Sequence, residues 1–167
     1  MFFYILISIV IIQRLIELVI SKKNEKWLLS EGAIEYGKQH YKFIVMLHIC
    51  FFISMIAEYN FEKKDGELNT INYLFLVFFI VLQILRIWVL KSLGKFWNTK
   101  ILRIPDIKLI ETGPYKFLKH PNYTIVVLEI FIIPMIFNLY ITAIIFTILN
   151  AVMLSVRIKS ENQALKY

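Results

Sequence analysis

The sequence predicts an all-α, polytopic integral membrane protein with about five transmembrane helices. Hydrophobic residues make up 59% of the 167 positions, the mean hydropathy is +0.66, and the apolar residues are gathered into long runs. A bilayer core about 30 Å thick requires roughly 20 apolar residues per helical span, and several runs approach that length. Little chain remains for a second core, so we expect residues 1–167 to form a single membrane domain.

The apolar runs give the positions of the predicted spans. Three spans are expected at about 2–20, 43–57 and 73–90. The last run, 123–156, is long enough for two short spans, with a turn at Pro134 and Asn138, since proline interrupts helical hydrogen bonding. We favour five spans over four, and one kinked re-entrant element in place of the last two is the alternative.

The distribution of lysine and arginine predicts the orientation in the membrane. The connecting stretches 21–41 and 91–121 and the tail 157–167 are basic, whereas the loop 58–72 is acidic and the turn near Asn138 carries no charge. The positive-inside rule then puts the N-terminus outside and the C-terminus in the cytoplasm. The net charge of +7 is explained by this orientation and by anionic lipid headgroups rather than by nucleic acid.

Four ionisable residues lie within the predicted spans, where each is costly unless it has a role or a partner. Arg14 and Glu17 are three residues apart, so they share one face of a helix and can form an internal ion pair. Arg86 either extends its charge to the membrane surface or contacts an anion or a polar headgroup. Glu129 can pair with Arg86 across the bundle.

Two connecting segments have distinctive patterns. The stretch 24–40 has amphipathic character and is expected at the membrane interface, broken into short pieces by Gly32 and Gly37. In the long basic loop, Gly113 and Pro114 predict a tight turn, and His120-Pro121 stands where the fourth span begins. Free backbone N–H groups at that helix start favour an anionic ligand group.

The local pattern therefore suggests a polar small-molecule site at the cytoplasmic membrane surface, and a loop that binds lipid headgroups is the alternative. No metal site is expected, because His40 and His48 lack metal-ligand spacing. Cys50 is the single cysteine, so no intrachain disulfide can form.

Two motifs in the second half of the chain resemble a known family. Gly113-Pro114-Tyr115, followed by Lys119-His120-Pro121 and Tyr123, is similar to the Gly-Pro-Tyr and Arg-His-Pro-x-Tyr signature of the isoprenylcysteine carboxyl methyltransferase family. Residues 157–165 are similar to its Arg-Ile-x-x-Glu-Glu-x-x-Leu motif. The resemblance covers about 70–167, and the chain looks most like the short bacterial branch, which includes alkylpyrone O-methyltransferases.

The resemblance implies S-adenosylmethionine as methyl donor, held by the part 91–167. Carried over residue by residue, it assigns the cofactor site to Gly113, Tyr115, Lys119, His120, Pro121, Tyr123, Glu161 and Asn162. Lys119 stands where the family has arginine, and Asn162 where it has a second glutamate. Arg86 matches a family arginine near the reacting end of the acceptor, and with Glu129 it forms the expected catalytic pair.

The resulting hypothesis is a multi-pass cell-membrane enzyme whose active site faces the cytoplasm. It methylates the oxygen of a lipophilic enol, hydroxyl or carboxyl group, as in an alkylpyrone, on a molecule that enters from the bilayer. Membrane lipids are its other expected partners. Two alternatives are a phospholipid N-methyltransferase, whose enzymes carry a related signature, and a non-catalytic lipid-binding or scaffold protein.

Overall fold

The computed structural model describes residues 1–62, 68–105, 107–108 and 110–164. Most of this chain is helical. The helices are α1 (Phe2–Ser30), α2 (Lys38–Phe61), α3 (Thr70–Leu93), α4 (Pro121–Met135) and α5 (Tyr140–Ala164), the strands are β1 (Ile34–Tyr36) and β2 (Ile101–Arg103), and short 3-10 turns cover Gly94–Phe96 and Gly113–Lys116.

The helices extend beyond the predicted apolar runs. Among the described residues, α1, α3 with its following turn, α2 and α5 are long and apolar enough to cross a membrane. The fourth, α4, has 15 residues and is therefore only about 22 Å long. The chain is thus a helical membrane protein with four candidate spans, and a fifth pass through α4 stays a prediction.

Successive helices run in opposite directions, which gives the bundle two ends. We call the end that holds the turn between α4 and α5 the hairpin end, and the end that holds the connection between α3 and α4 the loop end. The predicted turn is confirmed: α4 ends one residue after Pro134, and Asn138 has a φ of +56°. The centre of the acidic loop, residues 63–67, and the tail residues 165–167, which include Leu165 and Lys166, lie outside the described residues.

Polar side chains fix the hairpin end inside an otherwise apolar bundle. The buried carboxylate of Glu58 accepts hydrogen bonds from the backbone N–H groups of Ile141 at 3.0 Å and Thr142 at 2.7 Å. It thereby caps the first turn of α5, where these N–H groups have no helical partner. Asn72 donates to the side chain of Asn138 at 2.9 Å, which joins α3 to the turn.

The stretch 24–40 is broken at the two predicted glycines, and its first piece is the end of α1. The helix α1 continues without a break to Ser30, because no residue before Gly32 interrupts it. Gly32 and Gly37 do break the chain, with φ angles of +83° and +63°. Between them lies β1, which pairs antiparallel with β2 of the long loop. The all-α prediction did not include these two short strands. Their pairing joins the connection between α1 and α2 to the connection between α3 and α4.

The long loop is also attached to α1. The Ser21 hydroxyl lies 2.8 Å from the Thr99 hydroxyl, and Asn98 donates to the Ser21 carbonyl oxygen at 2.9 Å. Asn24 donates to the carbonyl oxygen of Trp97 at 2.7 Å. These bonds hold residues 97–99 over the loop end of the bundle, where they form a wall of the candidate site.

The Glu58 cap gives a first prediction. Glu58→Ala removes two charge-assisted hydrogen bonds from N–H groups in the first turn of α5, of which that of Thr142 is buried, and we expect a loss of about 2–4 kcal/mol in the free energy of unfolding. Thermal unfolding in detergent is expected to show a Tm several degrees lower. Glu31→Ala, at an exposed glutamate after α1, is the matched control and is expected to leave Tm unchanged. An equal Tm for the two variants would show that the cap contributes nothing.

Candidate functional site

The described residues enclose a larger and a smaller cavity that share one wall. The larger, of about 300 Å³, lies between α1, α2, α4 and α5 and is lined mostly by apolar side chains. The smaller, of about 130 Å³, lies at the loop end and has mixed polar and apolar walls. Four residues line both cavities: Trp97, Asn122, Tyr123 and Arg157. Small molecules in the two cavities would therefore meet at this shared wall.

The local backbone explains how the smaller cavity is built. Gly113 has a φ of +59°, and a Cβ atom there would lie 2.1 Å from the Ser92 hydroxyl oxygen. Glycine thus lets the loop approach the end of α3 closely, and the short 3-10 turn that follows brings Tyr115 to the cavity. Pro121 opens α4, where its missing N–H is not needed, and His120 is the residue that precedes it.

A polar network crosses the floor of the smaller cavity. The Tyr123 hydroxyl donates to the Glu161 carboxylate and accepts a hydrogen bond from Arg157 Nε at 2.8 Å. The His120 ring stacks on the Tyr123 ring, with centroids 5.3 Å apart, and its Nδ1 lies 3.5 Å from Glu161 Oε2. Arg157 also donates to the carbonyl oxygen of Thr99. The start of α4, the end of α5 and the long loop are therefore joined at one point.

Several buried polar atoms around this cavity have no hydrogen-bond partner within the described part of the chain. They are Trp97 Nε1, Arg103 Nε, His120 Nε2 and Asn122 Oδ1, and all four residues line the cavity. Buried polar groups are rarely left without a partner in a folded protein. This set combines donors with an acceptor, as a site for a polar small molecule requires.

The phenol of Tyr115 remains protonated at neutral pH. Burial is the main cause that raises the pKa of Tyr115 above its ordinary value, and the negative charge of Glu161 raises it further. A neutral phenol can both donate and accept a hydrogen bond. Tyr115 therefore contributes a polar, uncharged edge to the cavity beside the Glu161 carboxylate.

A closed ring of four charges lies on the wall of the larger cavity. Arg14 donates to Glu17 and to Glu129, each at 2.7 Å. Arg86 donates to Glu17 at 3.2 Å and to Glu129 through two nitrogens, with Nε 3.1 Å from Oε1. Each carboxylate thus binds both guanidinium groups, and the four charges cancel. We call these four residues the charge cluster.

The charge cluster shows which of the predicted ion pairs form. The ion pair of Arg14 with Glu17 and the pairing of Arg86 with Glu129 are both present. The alternative in which Arg86 extends its charge to the membrane surface is wrong. This side chain is 3% exposed, because the carboxylates of Glu17 and Glu129 hold it inside the bundle. Two amides complete the cluster, as Gln83 donates to Glu129 at 2.8 Å and Gln13 donates to Gln83 at 2.8 Å.

The larger cavity opens on the outer face of the bundle between α1 and α2. Leu15 of α1 and Ile49 of α2 both line it, and their side chains are 57% and 51% exposed. At the hairpin end the same two helices are closed, because the rings of Phe3 and Tyr59 stack at 3.9 Å. The opening is thus lateral, apolar and confined to the part of the bundle that is nearer the loop end.

The residues predicted to bind a cofactor fall into two groups. Five line the smaller cavity: Tyr115, Lys119, His120, Tyr123 and Glu161. Three do not line it: Gly113 and Pro121 shape the backbone, and Asn162 has its buried Oδ1 without a partner in the described chain. The predicted catalytic pair, Arg86 and Glu129, lines the larger cavity. The roles of all these residues remain predictions.

Three residues of the shared wall were absent from the predicted site. Arg157 stands in the tail motif, and its charge directly after an apolar run was a signal that could have assigned it. Asn122 occupies the variable position between Pro121 and Tyr123 in the motif, and the sequence around it gives no sign that it lines a cavity. Trp97 is attached to the site through hydrogen bonds with α1, which are not visible in the sequence.

The sequence matches one protein family and two bacterial relatives. The family model described as isoprenylcysteine carboxyl methyltransferase matches residues 75–167, which hold α4, α5, the long loop and most of α3. The chain is 44% identical to the uncharacterised protein YpbQ of Bacillus subtilis over 164 residues, 98% of this chain and 96% of that protein. It is 27% identical to an uncharacterised protein of Haemophilus influenzae over 168 residues, 100% of this chain and 96% of that protein.

The charge cluster gives a second prediction. Glu129→Leu leaves the buried guanidinium of Arg86 and the partly exposed guanidinium of Arg14 to share Glu17, and removal of one partner from a buried ion pair costs about 3–5 kcal/mol. Thermal unfolding in detergent is expected to show a large fall in Tm. The double variant Arg86→Leu/Glu129→Leu removes one positive and one negative charge, so its Tm is expected to lie between those of Glu129→Leu and the unaltered protein. Leu128→Ala, at the exposed neighbouring position, is the control. A fall in Tm there as large as that of Glu129→Leu would show that the loss does not come from the missing charge.

Proposed function

We propose, given that this chain belongs to the isoprenylcysteine carboxyl methyltransferase family, that it is a membrane methyltransferase that transfers a methyl group from S-adenosylmethionine to an oxygen of a lipophilic acceptor. The observation that carries this proposal is the pair of cavities with a shared wall at Trp97, Asn122, Tyr123 and Arg157. A polar donor and an oily acceptor need separate binding places that meet at the reacting atoms.

The smaller cavity suits the methyl donor. S-adenosylmethionine has an amino-acid group with both charges, ribose hydroxyls and a purine. Glu161 can accept from the amino group or the ribose. Arg103 Nε and Trp97 Nε1, which have no partner in the part of the chain that the structure describes, can donate to acceptor atoms. The rings of His120 and Tyr123 offer flat apolar surfaces beside them. Lys119 keeps a positive charge at the rim but lacks the bidentate geometry of arginine.

The larger cavity suits the acceptor. Its apolar lining and lateral opening between Leu15 and Ile49 allow a hydrocarbon tail to enter from the bilayer. The polar end of the molecule would then lie near the charge cluster and the shared wall. Of the lipophilic acceptors, an enol, hydroxyl or carboxyl group on a long alkyl chain, such as an alkylpyrone, fits this division into an oily tail and a compact head.

The reaction requires little acid–base chemistry from the protein. Bound S-adenosylmethionine supplies an activated methyl group on a sulfonium, so the cofactor carries the difficult part of the chemistry. The residues of the shared wall hold the two partners in line and exclude water from the reacting atoms. An acidic enol or a carboxyl group arrives already ionised, and Arg86 would orient or stabilise that anion.

We further propose five membrane passes, with the N-terminus outside and the loop end of the bundle in the cytoplasm. The alternating directions of α1 to α5 and the basic residues of the loop end support this orientation. The methyl donor is soluble and cytoplasmic, so the smaller cavity would open where the donor is available.

The test of the reaction uses the purified protein in detergent or nanodiscs with methyl-labelled S-adenosylmethionine and a total lipid extract. The proposal predicts a labelled lipid whose methyl group is on oxygen, identified by mass spectrometry. Methylated phosphatidylethanolamine as the product would show phospholipid N-methylation instead. No labelled product, together with no binding of the donor in calorimetry, would favour a non-catalytic lipid-binding protein.

The polar network gives a third prediction, on donor binding. Tyr123→Phe removes the hydroxyl that joins Arg157 to Glu161, so calorimetry with S-adenosylmethionine is expected to show binding about tenfold weaker, as loss of a hydrogen bond to a charged group implies. Tyr140→Phe removes a tyrosine hydroxyl at the hairpin end, which donates to Asn138 at 3.0 Å, and is expected to bind as the unaltered protein does. Equal weakening in the two variants would place the donor elsewhere.

A further inference from the structure

A short exposed segment with two apolar and two basic side chains precedes α4. Phe117 is 79% exposed and Leu118 is 48% exposed, and the exposed Lys116 and Lys119 stand on either side of them. We call residues 116–119 the tip segment. Apolar side chains flanked by lysines are typical of a segment at a bilayer surface, where the apolar groups enter the lipid and the ammonium groups extend to the headgroups.

The helices show how far the hydrocarbon layer extends towards the loop end. On α1 the exposed side chains are apolar up to Ile20, and the exposed Lys22 and Lys23 come next. On α3 the exposed Trp88 is followed by the exposed Lys91. Tryptophan is enriched at the interface between membrane and water, and lysine is enriched on the cytoplasmic side of the spans. The boundary of the hydrocarbon layer therefore crosses α3 between Trp88 and Lys91.

The turn that leads into the tip segment lies at this boundary. Gly113 begins the 3-10 turn, and a Cβ atom there would lie beside Ser92 Oγ and 3.1 Å from Trp88 Nε1. The turn thus packs beside the last turns of α3 and not beyond the end of that helix. Because Trp88 is 46% exposed, the loop reaches α3 on an outward-facing side. The tip segment therefore follows directly from a point at the membrane interface.

The short α4 gives the same level independently. Arg86 and Glu129 bind each other in the charge cluster, so they lie at one depth. From that depth α4 begins about 12 Å and α3 ends about 10 Å towards the loop end, at 1.5 Å per helical residue. The helix α1 continues about 20 Å past Glu17 of the same cluster. The tip segment thus starts at the headgroup level, whereas the end of α1 extends farther into water.

The backbone around the apolar pair suits a place with little water. The N–H groups of Phe117 and Leu118 both donate to the carbonyl oxygen of Pro114, each at 3.1 Å. The N–H group of Tyr115 donates to the carbonyl oxygen of Thr112 at 3.2 Å, and proline has no N–H. Backbone polar groups that enter lipid need partners within the protein. The tight turn provides them at the positions that carry the apolar side chains.

We propose that the tip segment is a membrane anchor. Phe117 and Leu118 enter the boundary between the headgroups and the acyl chains, and the ammonium groups of Lys116 and Lys119 bind the phosphates of anionic lipids. The exposed apolar pair, its two flanking charges and its level beside Trp88 support the bilayer as the surface that covers it.

The anchor lies on the rim of the smaller cavity. Tyr115 and His120 directly flank the tip segment, Lys119 belongs to it, and all three line that cavity. A lipid surface that holds the tip segment therefore also holds this rim. The inference concerns the contact with lipid, so it does not depend on the proposed reaction.

The test measures the depth of a spin label in the full chain, reconstituted into vesicles of phosphatidylcholine and phosphatidylglycerol. Cys50→Ala removes the single cysteine, and Leu118→Cys then carries the label. Collisions with oxygen, which concentrates in lipid, are compared with collisions with a water-soluble nickel chelate. The label at position 118 is expected about 5–10 Å below the lipid phosphates, the depth typical of interfacial apolar groups.

Two reference labels define the ends of the depth scale. Val81→Cys, at an exposed position of α3 on the hairpin side of Arg86, is expected deep in the hydrocarbon layer. Ser30→Cys, at the exposed end of α1, is expected in water although it belongs to the same end of the bundle. Collisions with the chelate as frequent at position 118 as at position 30 would overturn the inference and assign the apolar pair to a protein partner.

A first pair of variants, read by the label at position 118, tests the apolar contact. Phe117→Ser removes the ring that enters the lipid, so the label is expected to move towards water by several Å. Leu29→Ser makes the same kind of change at a residue that is 49% exposed near the end of α1, and it is expected to leave the depth unchanged. Equal shifts in the two variants would contradict insertion of Phe117.

A second pair tests the lysines. In the unaltered tip segment, the depth of the label is expected to increase with the share of phosphatidylglycerol, which is anionic. Lys116→Gln/Lys119→Gln is expected to abolish this dependence. Lys22→Gln/Lys23→Gln removes the same charge from exposed positions of α1 and is expected to preserve it. A depth that ignores phosphatidylglycerol in the unaltered segment, or equal effects of the two double variants, would overturn the role of the lysines.

The outcomes also separate the anchor from the proposed function. An inserted label together with no methyl transfer in the lipid assay would support the anchor and count against the proposed reaction alone. Methyl transfer by a protein whose label at position 118 lies in water would overturn the anchor and leave the reaction in place.

Discussion

The charge cluster places a constraint on the whole bundle, because four ionised groups lie among apolar helices. An ion taken out of water costs several kcal/mol unless its partners are close and well oriented. Arg14 and Glu17 come from α1, Arg86 from α3 and Glu129 from α4. Arg14 and Glu17 can pair within α1, but the contacts of Arg14 with Glu129 and of Arg86 with Glu17 form only where the three helices hold their relative depth. The cluster therefore fixes the register of the helices in a bundle whose apolar surfaces alone would permit sliding.

This register determines where the two cavities meet. With α1 fixed against α3 and α4, Ser21 and Asn24 of α1 lie where they can bind residues 97–99 of the long loop. The loop in turn receives a hydrogen bond from Arg157 of α5 through the carbonyl of Thr99. The shared wall is thus held by elements from both ends of the sequence. A change in the cluster is expected to alter the site at a distance, through helix position.

The sequence was sufficient for the features that depend on local pattern. The apolar runs predicted helices, Pro134 and Asn138 predicted the turn, and Gly113 with Pro114 predicted the tight turn that the loop makes.

The positions of β1 and β2 could not be predicted, since three-residue strands carry little signal and their pairing joins Ile34 to Arg103 across the chain. The sequence also could not predict that each carboxylate of the cluster binds both arginines, because this arrangement depends on how the helices pack. Asn150 stands in an apolar run with no neighbouring signal, and only the packed structure shows that its amide lines a cavity and that its Nδ2 has no partner among the described residues.

We propose that the smaller cavity at the loop end holds the methyl donor, that the larger cavity in the bundle holds the acceptor, and that the two meet at one wall. The most direct test is an experimental structure of the protein in a nanodisc with S-adenosylhomocysteine, the product of the donor. We expect density for this ligand in the cavity lined by Tyr115, His120 and Glu161, with its sulfur directed towards Tyr123 and Asn122. A ligand bound outside this cavity, or one whose sulfur points away from the larger cavity, would show that donor and acceptor do not meet at this wall.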